Sequence, residues 1–263
     1  MEHSSRYIVL FAAAVCGVCS IFVAAAAVSL KERQELNAQL DVQEKVLVLA
    51  GLLEEGSGAT RERIQELYGS RIEARAVDLA TGDYVEGVDA ATIDPKLEVS
   101  DPEKSREAPA NKAQVRRVPN VGVVYHVKDE AGHVEELILP IHGKGLWSTL
   151  YGFLALRRDA DSIAGITFYK HLETPGLGGE VDNSRWKSLW EGRRAFGPKG
   201  DVAIQVKKGQ AGSPQDDPYH VDGLSGATLT SRGVTNTLAF WLSDEGFGPY
   251  LEKFRAEMGT GGN

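Results

Sequence analysis

Apolar and polar positions divide the chain into one uniformly apolar run followed by shorter, periodic ones. From Tyr7 to Leu30 there are 24 consecutive residues without a charge. As a helix this run spans roughly 36 Å, enough to cross a hydrocarbon layer of about 30 Å. A cleaved secretory signal is the competing reading, with Ala24 to Ala27 as small residues for a peptidase. The run exceeds the usual signal core of about 7–15 residues, and a charged, helix-prone stretch from Lys31 follows at once. The pattern therefore predicts a retained transmembrane helix in residues 1–30.

Beyond it, Leu36, Leu40, Val46, Leu47, Leu49, Leu52 and Leu53 recur among charges as on an amphipathic helix over 31–56, closed by Gly56 and Gly58. A short helix is predicted from Arg61 to Tyr68, ended by Gly69. A small hairpin follows, from Ala74 to Glu86, turned by Thr81-Gly82. Residues 89–112, with Pro95, Pro102 and Pro109, read as a surface connection. Val121, Val123, Tyr125 and Val127 alternate, as do Val134 to Leu139, with Asp129 to Gly132 as the turn between them. Ile163 to Tyr169 and Ala203 to Val206 read as further strands. Asn183 is suited to cap a helix carrying Trp186, Leu189 and Trp190. Helices are predicted at Leu229–Leu242 and Pro249–Met258. The order of elements implies an α+β fold with a mixed, largely antiparallel sheet and flanking helices. We divide the chain into the anchor, residues 31–118 as a juxtamembrane helix and first part of the external domain, 119–258 as the ligand-binding domain, and a flexible tail at 259–263.

Charge and composition narrow the chemistry. Twenty-nine Lys and Arg against 37 Asp and Glu leave a net charge of −8. Nucleic acid is thereby disfavoured as a partner, since phosphate binding needs basic surface. The basic residues flanking the anchor, Arg6 on one side and Lys31 and Arg33 on the other, leave its orientation open. The only cysteines, Cys16 and Cys19, lie inside the apolar run. There they act as small apolar packing residues, and residues 31–263 hold no thiolate metal site. Glycine is skewed: of 29, 21 lie in residues 132–263.

Three glycine-bearing segments carry the candidate chemistry. Asp222-Gly-Leu-Ser-Gly-Ala-Thr228 leads straight into a predicted helix, with Ser225, Gly226, Ala227, Thr228, Leu229 and Thr230 placed where free N–H groups attract an anion. An elaborate helix cap without ligand fits the same spacing. Gly223-Leu-Ser225-Gly-Ala227 also nearly matches a hydrolase nucleophile elbow, but its last glycine is missing and all six histidines precede Ser225. Glu173-Thr174-Pro-Gly176-Leu177-Gly-Gly179 fails the dinucleotide fingerprint and reads as a Pro-Gly turn presenting polar groups and backbone to a planar ligand. Ile141 to Ser148 places Trp147 and a hydroxyl after two glycines.

The runs VDGLSGATLTSRGV, ETPGLGGEVDN and HGKGLWSTLYGF resemble the C subunit, which carries covalent FMN, of the bacterial Na+-translocating NADH:quinone reductases. The likeness extends over nearly the whole chain. The resemblance implies an electron carrier with FMN joined to Thr228 by a phosphoester. It further implies a dedicated flavin transferase that reads Asp222, Ser225 and Thr228, partner subunits of the complex, and a bacterial inner-membrane anchor with the domain in the periplasm. Glu173, Thr174, Gly176, Leu177 and Trp147 are then expected around the flavin. Lys170-His171-Leu172 departs from the more acidic, glycine-containing stretch expected there. The G subunit of the Rnf electron-transport complex shares the motif and is the nearest alternative. A flavin-binding sensory or structural module without turnover is the alternative of another class.

Overall fold

The computed structural model describes residues 4–260, and the chain divides into two units, residues 1–44 and residues 45–263. The apolar run and the amphipathic stretch after it form one continuous helix, α1 (Ser5–Leu49). Its stretch Ser5–Lys31 is long and apolar enough to cross a membrane by length and composition. The helix stops at Leu49, before Gly56, because Gly51 adopts a left-handed conformation and reverses the chain. Leu52 N–H then donates to the Leu47 carbonyl at 2.9 Å and Gly51 N–H to that of Val48 at 3.1 Å, satisfying two end carbonyls.

In the second unit, α2 (Arg61–Arg71) is capped by Thr60 and runs through Gly69 directly into β1 (Ile72–Asp78). The expected hairpin is reduced to a single bridge, Val77 to Tyr84, on the edge of β1 away from its partner β4 (Val121–Lys128). Residues 89–112 are more ordered than a plain connection. They hold a 3-10 turn (Ala90–Thr92), α3 (Pro95–Glu98) and β2 (Ser105–Glu107), which pairs with β3 (Arg117–Pro119). After β4 come β5 (Val134–Lys144), β6 (Thr149–Arg157) and β7 (Ile163–Lys170). These strands form one antiparallel sheet in the order β1-β4-β5-β6-β7. The boundary drawn between 118 and 119 therefore falls inside a compact unit whose main sheet takes strands from both sides.

Strand β6 escapes the alternation rule. Leu150, Leu154 and Leu156 enter the main core while Phe153 packs on the other face, between Tyr125 and Tyr169. A strand buried on both faces reads as a continuous apolar run. A 3-10 turn (Gly178–Asp182) and α4 (Ser184–Ser188), capped by the Asn183 side chain, follow β7. The short strands β8 (Gln205–Val206) and β9 (His220–Val221) pair in parallel. Two helices close the fold: α5 (Thr228–Trp241) and α6 (Gly248–Thr260). The tail expected from residue 259 is helical as far as Thr260, and 261–263 lie outside the described residues.

Helix α5 lies directly on β5. Val234, Leu238 and Trp241 join Leu139, Ile141 and Leu150 in the core, and Trp241 Nε1 donates to the His142 carbonyl at 2.6 Å. Gly233 permits this approach: a Cβ there would stand 2.5 Å from the Lys144 carbonyl oxygen. The N-terminus of α5 is thereby fixed beside the β5–β6 turn and the loop leaving β7.

Candidate flavin site

The loop after β7 begins with a turn written in its sequence. Thr174-Pro-Gly-Leu177 forms a type II turn: Gly176 takes a positive φ of 74° and Leu177 N–H donates to the Thr174 carbonyl at 3.1 Å. Before this turn, Glu173 points inward and is 5% exposed. Its carboxylate accepts from the N–H groups of Trp147 (2.9 Å), Leu146 (3.2 Å) and Ser148 (3.3 Å), and from the Thr230 hydroxyl (2.6 Å). Burial alone would raise this carboxyl. The Thr230 hydroxyl and the three N–H groups outweigh it and hold the group below the usual glutamate value.

Glu173 thus joins all three glycine-bearing segments. Two glycines give it room: a Cβ at Gly145 would lie 2.6 Å from Glu173 Oε1, and one at Gly178 would lie 2.5 Å from Thr230 Oγ1. Trp147 Nε1 donates to Thr174 Oγ1 at 3.2 Å, tying the β5–β6 turn to the Pro-Gly turn. Gly226 places its Cα so that a Cβ would meet Leu177 at 2.9 Å, which closes the third side.

Thr228 opens α5 with its side chain exposed. The N-cap, Ala227, contributes no side-chain bond, and the first helical bond runs from Ser231 N–H to the Ala227 carbonyl. The N–H groups of Thr228, Leu229 and Thr230 precede that bond, and the helix dipole favours an anion beside them. Around this point large apolar side chains stand exposed: Trp147 (65%), Leu172, Leu177, Leu229 and Leu146. The helix start can take an anionic group, and the exposed side chains can take an apolar ring.

The sequence-predicted residues therefore divide by what they can reach. Trp147, Thr174, Gly176, Leu177, Ser225, Gly226, Thr228 and Leu229 lie at the surface or partly so, whereas Glu173, Ala227 and Thr230 are buried. Glu173, expected as a ligand contact, is consumed within the protein. Asp222 accepts from Ala211 N–H at 2.8 Å through its carboxylate and from Trp186 Nε1 at 2.9 Å through its carbonyl. Among the described residues Ser225 makes no hydrogen bond to a histidine or a carboxylate, as a hydrolase nucleophile would. Sequence reasoning did not single out Leu146 and Leu172 as part of the rim. Their signal was large apolar residues in glycine-bearing loops, where burial is not available.

An uncapped helix start with an exposed hydroxyl, set among exposed apolar side chains, suits a nucleotide-phosphate-binding domain, and the family model described as FMN-binding domain matches residues 145–243. The C subunit of the Na(+)-translocating NADH-quinone reductase from Yersinia pestis is 46% identical over 243 residues, covering 92% of this chain and 90% of that protein. Its counterpart from Pseudomonas aeruginosa is 45% identical over 257 residues, covering 97% of each. The crystal structure of NqrC from Shewanella oneidensis aligns with a TM-score of 0.76 at 30% identity, over 83% of this chain and 98% of that one. The chain belongs to the C-subunit family of the Na+-translocating NADH-quinone reductases. The relatives carry this family's name, which sets the Rnf alternative aside.

Proposed function

We propose that this chain relays single electrons through FMN held by a phosphoester on Thr228, as a membrane-anchored subunit of the Na+-translocating NADH-quinone reductase. One observation carries the reading: Thr228 presents its hydroxyl at the unclosed start of α5, beside exposed Trp147, Leu177 and Leu229. FMN supplies the one-electron chemistry when bound. The chain's own residues hold and shield it. N–H groups at the start of α5 stabilise the phosphate, while Trp147 and Leu177 exclude water from one edge of the ring. Thr174 accepts from Trp147 Nε1 and so keeps its hydroxyl proton to give. Glu173 acts through others, fixing the turn at Leu146–Ser148 against Thr230.

Attachment needs a partner. A flavin transferase that reads Asp222, Ser225 and Thr228 takes FMN from FAD: the Thr228 oxygen bonds to the flavin phosphorus, the pyrophosphate bond breaks, and AMP leaves. The hydroxyl proton passes to a base of the transferase. The apolar stretch Ser5–Lys31 of α1 crosses the bacterial inner membrane, with the flavin-bearing domain on the periplasmic side beside the other subunits.

The test is mass spectrometry of the chain co-expressed with its flavin transferase. The wild type gains an FMN-sized adduct and Thr228→Ala does not. An unmodified wild type, or a modified alanine variant, overturns the assignment. Restored NADH-to-quinone electron flow in a strain lacking its own copy of this subunit separates a carrier from a sensory module.

A further inference from the structure

The residue pair behind the Pro-Gly turn has no part in the scheme so far. His171 follows β7, with its side chain only 11% exposed. Its Nδ1 accepts the backbone N–H of Glu173 at 3.1 Å, and its Nε2 lies 2.7 Å from Asp182 Oδ2. An imidazole nitrogen that accepts carries no proton, so the ring proton sits on Nε2 and is given to Asp182. Asp182 belongs to the 3-10 turn at Gly178–Asp182 and is half exposed. The ring therefore braces both ends of the segment 173–182, one end by each nitrogen.

We propose that His171, oriented by Asp182, is the positioning residue that sets the segment 173–182, and that a second proton on its ring releases the backbone N–H at its Glu173 end. The inference rests on the proposed reading of this loop as a wall of the flavin site. Adding a proton at Nδ1 turns an acceptor into a donor facing the Glu173 N–H. That bond is lost, while the contact with Asp182 gains charge and persists. The other supports at this corner stay in place: the Ser148 hydroxyl accepts from Leu172 N–H at 2.8 Å, the Glu173 carboxylate keeps its four donors, and Thr174 keeps Trp147 Nε1. The charged group in contact with the ring is Asp182 on the 3-10 turn; Glu173 meets it only through its backbone N–H, its carboxylate being turned toward Thr230, and Lys170 precedes it in sequence at the end of β7. Release loosens the Glu173 end of the segment, directly before Thr174 and the turn that presents it to a ligand.

The experiment uses the full chain in detergent micelles, without flavin. Histidine labelled with 15N, with the His171 signals assigned by their loss in His171→Asn, reports which nitrogen is protonated. Expected is the Nε2–H form; an Nδ1–H form, or an equal average of the two, overturns the proposal. Amide exchange then tests the latch. His171→Ala speeds exchange at Glu173 on the order of tenfold, as expected for losing one backbone hydrogen bond. His171→Asn, whose Oδ1 stands in the place of Nδ1, restores protection. After correction for intrinsic rates, acidification releases the Glu173 amide in the wild type and not in His171→Asn. Equal exchange in wild type and His171→Ala, or the same pH profile in wild type and His171→Asn, overturns the latch. Neither readout depends on FMN, so failure of attachment at Thr228 and failure of this inference are told apart.

Discussion

Thr230 donates its hydroxyl to Glu173 Oε2 at 2.6 Å, joining the first turn of α5 to a loop 57 positions earlier in the chain. Thr230 is fully buried, so neither partner can exchange this bond for water. Thr230→Val keeps the shape and removes the donor. The loss should cost about 1–3 kcal/mol, read as a lower urea midpoint, because a buried carboxylate oxygen loses its shortest partner. Thr230→Ser should retain most of that stability.

Glu173 also sets a limit in acid. Its folded value is depressed, so its contribution is complete above the unfolded glutamate value and is lost as pH falls through the folded one. Glu173→Gln should lower stability at neutral pH and flatten the stability profile on the acid side of the glutamate range. Chemical denaturation across that range checks both effects, and parallel profiles for the two proteins would contradict them.

His126 governs a higher window. It is buried on β4 and lies 2.7 Å from the Tyr250 hydroxyl, and burial pushes its value down to about 4. The charge of Glu73 opposes this with a smaller upward effect, while Arg75 and Lys128 add to the lowering. The unfolded chain binds this proton first, near 6.5, so stability is full above that pH and falls as pH drops toward 4. The loss amounts to about 3 kcal/mol. His126→Gln should be less stable at pH 7 yet lose less between pH 6.5 and 4, measured by thermal unfolding at a series of pH values.

Gly178→Ala forces a methyl against Thr230 Oγ1 at 2.5 Å and Glu173 Oε2 at 2.8 Å. The overpacking should cost about 1–3 kcal/mol and loosen the site together with the fold. Trp147→Ala provides the contrast: its ring is 65% exposed, so stability should change within about 0.5 kcal/mol. Under the proposed function its effect falls on the bound flavin, seen as a displaced absorption band.

Much of this architecture could be read from local pattern. The apolar run, the alternating strands β4 and β5, the Asn183 cap and the helix beginning at Thr228 all follow from residues close in sequence. The Pro-Gly turn did as well. What escaped depended on distant partners. Strand β6 gives no alternation because Leu154 and Phe153 are buried on opposite faces. Glu173 looked like a ligand contact because its partners are mostly backbone N–H groups, which leave no mark in a sequence. His171 and Asp182 are separated by a turn whose shape decides whether they meet.

The helix that leaves the apolar run is also part of the fold. Val46 and Leu47, in its last turns, are fully buried, and a Cβ on Gly165 would touch Leu49 at 2.9 Å. The glycines at 51, 56 and 58 look like the natural place to cut the domain free for work in solution. A cut there discards both core side chains, of which Leu47 alone is worth about 2–5 kcal/mol by the measure of a buried Leu truncated to Ala. Severing upstream of Lys45 keeps them, so solubilisation and folding make their demands on opposite ends of the same few turns.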